Sequence, residues 1–156
     1  MIAFIEVQAF SHATEDLEKV MRAIGRIIPE DAMDSINFVK TESKGHYGNP
    51  ITVVKARVNK KQAIRGIMER LASGLDETDR VALVAEFNER FDDRGNIYVR
   101  LDKQSAYMGR LRLGREDPIR LQIKFAAPSS QRDKILGAWR RMLLPEGEGR
   151  AIEEIR

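Results

Sequence analysis

Cysteine is missing altogether from this 156-residue chain. That removes disulfide frameworks and thiolate metal sites, and it fits a reducing compartment. Histidine is almost as scarce. His12 and His46 are the only two, and they lack the HExxH spacing that sets two imidazoles on one helix face. No metal site is expected. No apolar run approaches the ~20 residues needed to cross a bilayer. The N-terminal MIAFIEVQAF has neither the basic region nor the cleavage site of a leader. It reads as a strand, and a cytoplasmic protein with no membrane partner is expected. The signatures of common enzymes are missing too. There is no GxSxG elbow, no dinucleotide fingerprint and no carboxylate pair beside a histidine. Asp92, Asp93 and Gly95 do not fill the positions of a calcium loop. No cofactor is called for, and the chain does not read as an enzyme.

Aromatics are sparse, with one Trp, three Tyr and six Phe. Basic residues are not. The formal net charge is only +3, but the cations are grouped. Between residues 40 and 61 six Lys or Arg face a single acid, Glu42. Between 97 and 124 seven face three acids. Acids gather instead at Glu15, Asp16, Glu18 and at Asp76, Glu77, Asp79, where carboxylates complement a helix N-terminus.

Strand-like and helical patterns intermix, with no repeat or long linker. Strands are expected over 2–10, 35–41, 51–58, 97–101, 110–113 and 119–125, from apolar residues at period two. Helices are expected after Thr14, Asn59, Asp76 and Ser130, each a capping residue followed by an apolar stripe at helical spacing. Asp102 caps a short turn through Tyr107. The expected architecture is one α+β domain over 1–145, with a polar tail over 146–156. A mixed, mostly antiparallel sheet would carry helices on one face and leave the other open. In the tail, Ile152 and Ile155 are candidates to dock.

The most informative stretch is 96–125. Ile97, Val99 and Leu101 alternate with Tyr98 and Arg100. Leu111 and Leu113 alternate with Arg110 and Arg112. Ile119, Leu121, Ile123 and Phe125 alternate with Arg120, Gln122 and Lys124. If these runs share a sheet, their polar face holds five cations, an amide and a tyrosine without an acid. A merely soluble face usually mixes signs, so this one suits a polyanion with stackable bases. The lone Tyr98 weakens the case for base reading, and no RNP pattern is present. In GHYGNPI (45–51), two glycines expose backbone N–H groups, flanked by Lys44, His46, Tyr47 and Asn49. A plain strand connection explains the same residues. In YVRLDKQSAYMG (98–109), Asp102 reads as a cap, Lys103 and Gln104 as anion contacts, and Tyr107 as a stacking or packing ring.

Together with FSHATEDLEKV (10–20), these two motifs resemble the archaeal family of predicted RNA-binding proteins, also described as predicted exosome subunits. The resemblance runs from about residue 2 to 125. Leu101 stands where many relatives carry Phe. The resemblance implies a fold similar to the large-subunit ribosomal protein that contacts 5S rRNA and an RNA ligand, with a role in RNA processing or ribosomal RNA metabolism expected. The scarcity of aromatics points to a structured RNA read by backbone and shape. Partners would be RNA, exosome-type proteins and a second copy of the chain. Two rival readings stay open. One is an enzyme on phosphate esters using His46 and Asp102. The other is a protein-interaction module.

Overall fold

The computed structural model describes residues 1–45 and 48–145. His46, Tyr47 and the tail with Ile152 and Ile155 lie outside the described residues.

Five strands form one sheet: β1 (Ile2–His12), β2 (Val39–Lys44), β3 (Pro50–Val58), β4 (Asn96–Leu101) and β5 (Ile119–Phe125). Their spatial order is β2-β3-β1-β5-β4, and every pairing is antiparallel. Alternation fixes the faces. Ile5, Val7, Ala9, Val54, Ala56, Val58, Ile97, Val99, Leu101, Leu121 and Ile123 are buried. Their neighbours along each strand look outward.

Helices cover the apolar face: α1 (Leu17–Ile24), α2 (Glu30–Met33), α3 (Lys61–Gly74), α4 (Glu77–Ala85), α5 (Phe87–Arg90), α6 (Lys103–Tyr107) and α7 (Arg132–Leu143). Trp139 of α7 is fully buried, edge-on to Phe125 with ring centroids 6.4 Å apart, and its Nε1–H donates to Leu83 O at 3.1 Å. That bond satisfies the indole's one polar group inside the core. Arg80 donates from Nε to Leu75 O and from a terminal nitrogen to Leu143 O, tying α4 to the end of α7. A helical Gly costs about 1 kcal/mol relative to Ala. Gly66 in α3 is required nonetheless, because a Cβ there would lie 2.4 Å from Pro29 Cγ.

The α+β layer with helices on one face agrees with the sequence. Several local expectations differ. Asp16, not Thr14, caps α1, by accepting from Glu18 N–H. The second strand starts later, at Val39, because Ile36 and Phe38 are drawn against the core before pairing begins. Lys60 rather than Asn59 precedes α3, and Ser130 falls in a 3-10 turn ahead of α7. Asp76 and Asp102 cap as expected, accepting from Asp79 N–H and Ser105 N–H.

Residues 110–113 do not form a hairpin strand with β5. They lie along the outer edge of β4 instead, through one bridge between Leu101 and Leu113. Asp102 N–H donates to Arg112 O, and Gly114 N–H donates to Arg100 O. Leu111 packs on Gly74 of α3, which pulls the segment toward the helices after a single bridge.

Candidate nucleic-acid interface

Strand register arranges the open face in rows. The central row runs Val39, Lys55, Gln8, Arg120, Arg100 across all five strands. Four gaps of ~4.8 Å make it about 19 Å long. The next row runs Arg57, Glu6, Gln122, Tyr98. On the other side lie Thr41, Val53 and Phe10.

The face is therefore not free of acid. β1 sits between β3 and β5 and brings Glu6 to its middle. Glu6 pairs with Lys55 at 3.7 Å and with Arg57 at 3.2 Å. Arg57 also lies 4.0 Å from the centre of the Phe4 ring. The β3 half of the face is thus largely neutralised. The β4–β5 half is not. Arg100 and Arg120 are directly opposite each other in register, an arrangement that destabilises a sheet when the charges are alike. Neither has a carboxylate within 4.0 Å among the described residues, and Arg120 Nε is buried without a hydrogen-bond partner. A bound anion would relieve both penalties.

Tyr98 is held in place beside them. Its hydroxyl donates to Asp92 Oδ2 at 3.1 Å, and the Arg120 guanidinium lies 5.5 Å from its ring centre. Burial pushes the Tyr98 phenol up from its ordinary pKa, and the Asp92 contact adds to this. At Asp92 burial also acts upward. It is outweighed by bonds from the Asn96 side chain, the Asn96 and Arg94 N–H groups and Tyr98, which hold the carboxyl below its usual value. Gln122 Nε2 donates to Asn96 Oδ1, so the network reaches the second row. Lys124 stands at this end, with its ammonium on Arg94 O.

The expected site residues divide into groups. Tyr98, Arg100, Arg120 and Lys124 share the open face. Arg110 and Arg112 do not join them in a third strand. With Arg26 and Arg70 they line a cleft of about 600 Å³ beside the α3–α4 junction. Tyr107 packs toward α1, with the Lys19 ammonium 5.4 Å from its ring centre, and exposed Gln104 lines the same hollow. Neither is on the sheet face. Lys44 ends β2 on the helix side, since Lys40 pairs with buried Val54 and alternation carries the face to Lys44. Asn49 is exposed, and its carbonyl accepts from Gly45 N–H at 2.6 Å.

Lys103, the expected anion contact, is turned inward and only 8% exposed. Its ammonium donates to Phe10 O at 2.8 Å and Glu15 Oε1 at 2.9 Å, and pairs with Asp117 Oδ2 at 2.6 Å. Three acceptors use its three protons. His12 joins the cluster, 3.2 Å from Asp117. His12, Glu15 and Asp117 have the spacing of a metal-ligand set, but the ammonium bridges the two carboxylates. Asp102 is likewise committed. Its carboxylate accepts from Ser105 N–H and Ser105 Oγ. The Ser105 side-chain bond, then its N–H and the Arg112 charge, hold the Asp102 carboxyl low against the opposing effect of burial.

The three motifs nevertheless meet. His12 pairs with Ile51, and β5 begins beside the end of β1. Gly45, Asn49 and Pro50, residues 10–15 and the Lys103 turn thus share one end of the sheet. Residue-by-residue reading missed Gln8, Phe10, Lys55 and Arg57 as members of the face. Lys55 and Arg57 alternate with Val54, Ala56 and Val58 and were legible by the rule used for β5. Phe10, 37% exposed, looks from sequence like one more apolar strand residue.

A sheet with helices on one side and a basic, partly aromatic surface on the other defines an α+β platform protein with an open, anion-attracting face. The model of a family described as RNA binding matches residues 4–125. The chain belongs to this RNA-binding family. It is 37% identical over 146 residues to RNA-binding protein PAB1135 of Pyrococcus abyssi, covering 92% of this chain and 94% of that one. Among solved structures, a DUF54 protein from Methanothermobacter thermautotrophicus superposes with a TM-score of 0.76 at 33% identity, covering 92% of this chain and 98% of its own. Protein AF2318 of Archaeglobus fulgidus, from the same family, gives 0.78 at 29% identity, covering 91% and 99%.

Proposed function

We propose that the open sheet face binds RNA without catalysis, with the phosphodiester backbone laid along the row Lys55, Gln8, Arg120, Arg100. The Arg100–Arg120 pair carries this reading: two like charges side by side, one with a buried unpaired Nε, favour an anion between them. Tyr98 and Phe10 flank the row and offer rings to bases, while Lys124 extends its charge. Base contacts are few, so recognition depends on backbone and shape more than on sequence. Asn49 stands at the rim at the His12 end, and His46 and Tyr47 of the same motif are proposed as further RNA contacts. The motif resemblance is what supports a role in RNA processing or ribosomal RNA metabolism, with exosome-type proteins as partners. A role for Asp102 as a catalytic base is disfavoured, because its carboxylate is occupied as a helix cap.

Titrating a structured RNA at several salt concentrations tests the reading. Three to four neutralised phosphates predict a slope of about −2 to −3 in log affinity against log salt for a single-stranded contact. Replacing Arg100 and Arg120 together by Ala should weaken unrelated RNAs at least about tenfold, flatten that slope by about 1.4, and leave folding intact. Binding insensitive to both salt and this double substitution would overturn the proposal.

A further inference from the structure

The cleft lined by Arg26, Arg70, Arg110 and Arg112 has no part in the row just described, and its composition is unusual. Four guanidiniums meet two carboxylates, and both carboxylates already accept backbone bonds. Asp76 Oδ1 takes Asp79 N–H at 2.8 Å, and Asp79 Oδ2 takes Leu113 N–H at 3.0 Å. Arg70 is anchored from behind. One of its terminal nitrogens donates to Gly25 O at 2.8 Å and Ile28 O at 3.0 Å, which leaves its other donors available. Arg26 rests against Gly109, its Cζ 3.8 Å from where a Cβ on that glycine would sit. The guanidiniums of Arg26, Arg110 and Arg112 donate to no protein group among the described residues. All three of these arginines are exposed.

We infer that this cleft is a second phosphate seat, taking the backbone of the same RNA as it leaves the sheet face around the β4 edge. The inference rests on the proposed function of that face. Its lining contains no aromatic ring and only Leu111 and Leu113 as apolar side chains, so it offers nothing on which a base would stack. Guanidinium forks match phosphate oxygens in pairs, and a pre-anchored Arg loses less freedom on binding. Continuity supplies the route. Segment 110–114 bonds to the outer edge of β4, the strand that carries Arg100, and Gly114 N–H bonds to the Arg100 carbonyl itself. Positive charge therefore continues from the row, over the sheet edge, into the cleft.

Replacing Arg26 and Arg110 by Ala tests this, since both are exposed and neither lies in the row. Two labelled RNAs are titrated: a single strand of about six nucleotides, near the smallest site sizes of single-strand binders, and a hairpin of about thirty. For the hairpin, affinity should drop about tenfold and the salt slope should flatten by about 1.4 to 1.8, the range for two lost phosphate contacts on single- or double-stranded backbone. The six-nucleotide strand should lose less than about twofold, because it is satisfied by the row. Combined with Arg100→Ala and Arg120→Ala, the losses should add, as for separate sites. An unchanged hairpin affinity and slope in R26A/R110A, with the row variant still impaired, would overturn the cleft and leave the row standing. A loss confined to R26A/R110A, with the row variant unimpaired, would instead overturn the proposed function of the sheet face. Equal losses on both RNAs would also overturn the cleft as a separate seat.

Discussion

Lys103 is buried and Arg120 half-buried, and both come from segments that read as basic, yet they are opposites. Lys103 has an acceptor for every proton: two carboxylates and the Phe10 carbonyl. Arg120 faces Arg100 across the strand pair and has a buried nitrogen with no partner. A buried cation with its charge matched is part of the scaffold. A half-buried cation pushed against its own kind has electrostatic free energy to release when an anion arrives. The difference separates two kinds of basic residue that composition lumps together. One end of the sheet is held by charge, and its β4–β5 half is primed by charge.

Breaking the first half of that contrast should give the largest effect. In Lys103→Met, Glu15 and Asp117 lose the ammonium between them and are left as neighbouring anions. Severing a buried pair costs 3–5 kcal/mol; both carboxylates keep some water, so about 3 kcal/mol is expected. Denaturant unfolding measures it. RNA affinity, determined under conditions where the variant is fully folded, should change less than about twofold, a shift below 0.5 kcal/mol. A variant of parental stability that binds RNA poorly would reverse the assignment and make Lys103 a contact.

Much of this layout was legible in the sequence because period-two alternation is a local property. The strand cores, the caps at Asp76 and Asp102 and the basic face of β4 and β5 all follow from neighbours a few residues apart. What escaped depends on contacts between distant segments. Nothing near Glu6 shows that β1 will lie between β3 and β5 and bring an acid to the centre of the face. Nothing near Lys103 shows that Glu15 and Asp117 will close around it. The alternation of Arg110 to Leu113 looked like a strand, but Gly114 approaches Asp102 so closely that a Cβ would sit 2.7 Å from its Cα. Pairing at that edge stops after one bridge, and the arginines line a cleft rather than widen the sheet.

Asp92 sharpens the comparison from the scaffold side, since its carboxylate fixes Tyr98 next to the unmatched arginines. Its pKa is lower in the folded protein than in the unfolded chain. The stability it contributes is therefore fully present above the ordinary Asp value of about 3.9 and disappears as pH falls through the lower folded value. Asp92→Asn should cost about 1–2 kcal/mol at neutral pH, the loss of charge-assisted bonds. The gap between variant and parent should close below about pH 4, as the parent carboxyl protonates. Urea unfolding across pH 3 to 7 decides this, and a gap that stays constant into acid would remove the carboxylate charge from the account.

Glu6 tests the boundary between matched and unmatched charge, with the smallest expected effect. It neutralises Lys55 and Arg57 on the β3 half of the face. In Glu6→Gln the row would present three unneutralised cations instead of two, with Arg57 alongside. Exposed ion pairs contribute ~0–1 kcal/mol, so stability should hardly move. RNA affinity should rise roughly threefold, with a salt slope steeper by up to about 0.7 per added phosphate contact. Weaker binding would mean that Glu6 positions Lys55 and Arg57 for RNA rather than masking them. The two halves of the face would then be one continuous site, organised by the acid at its centre.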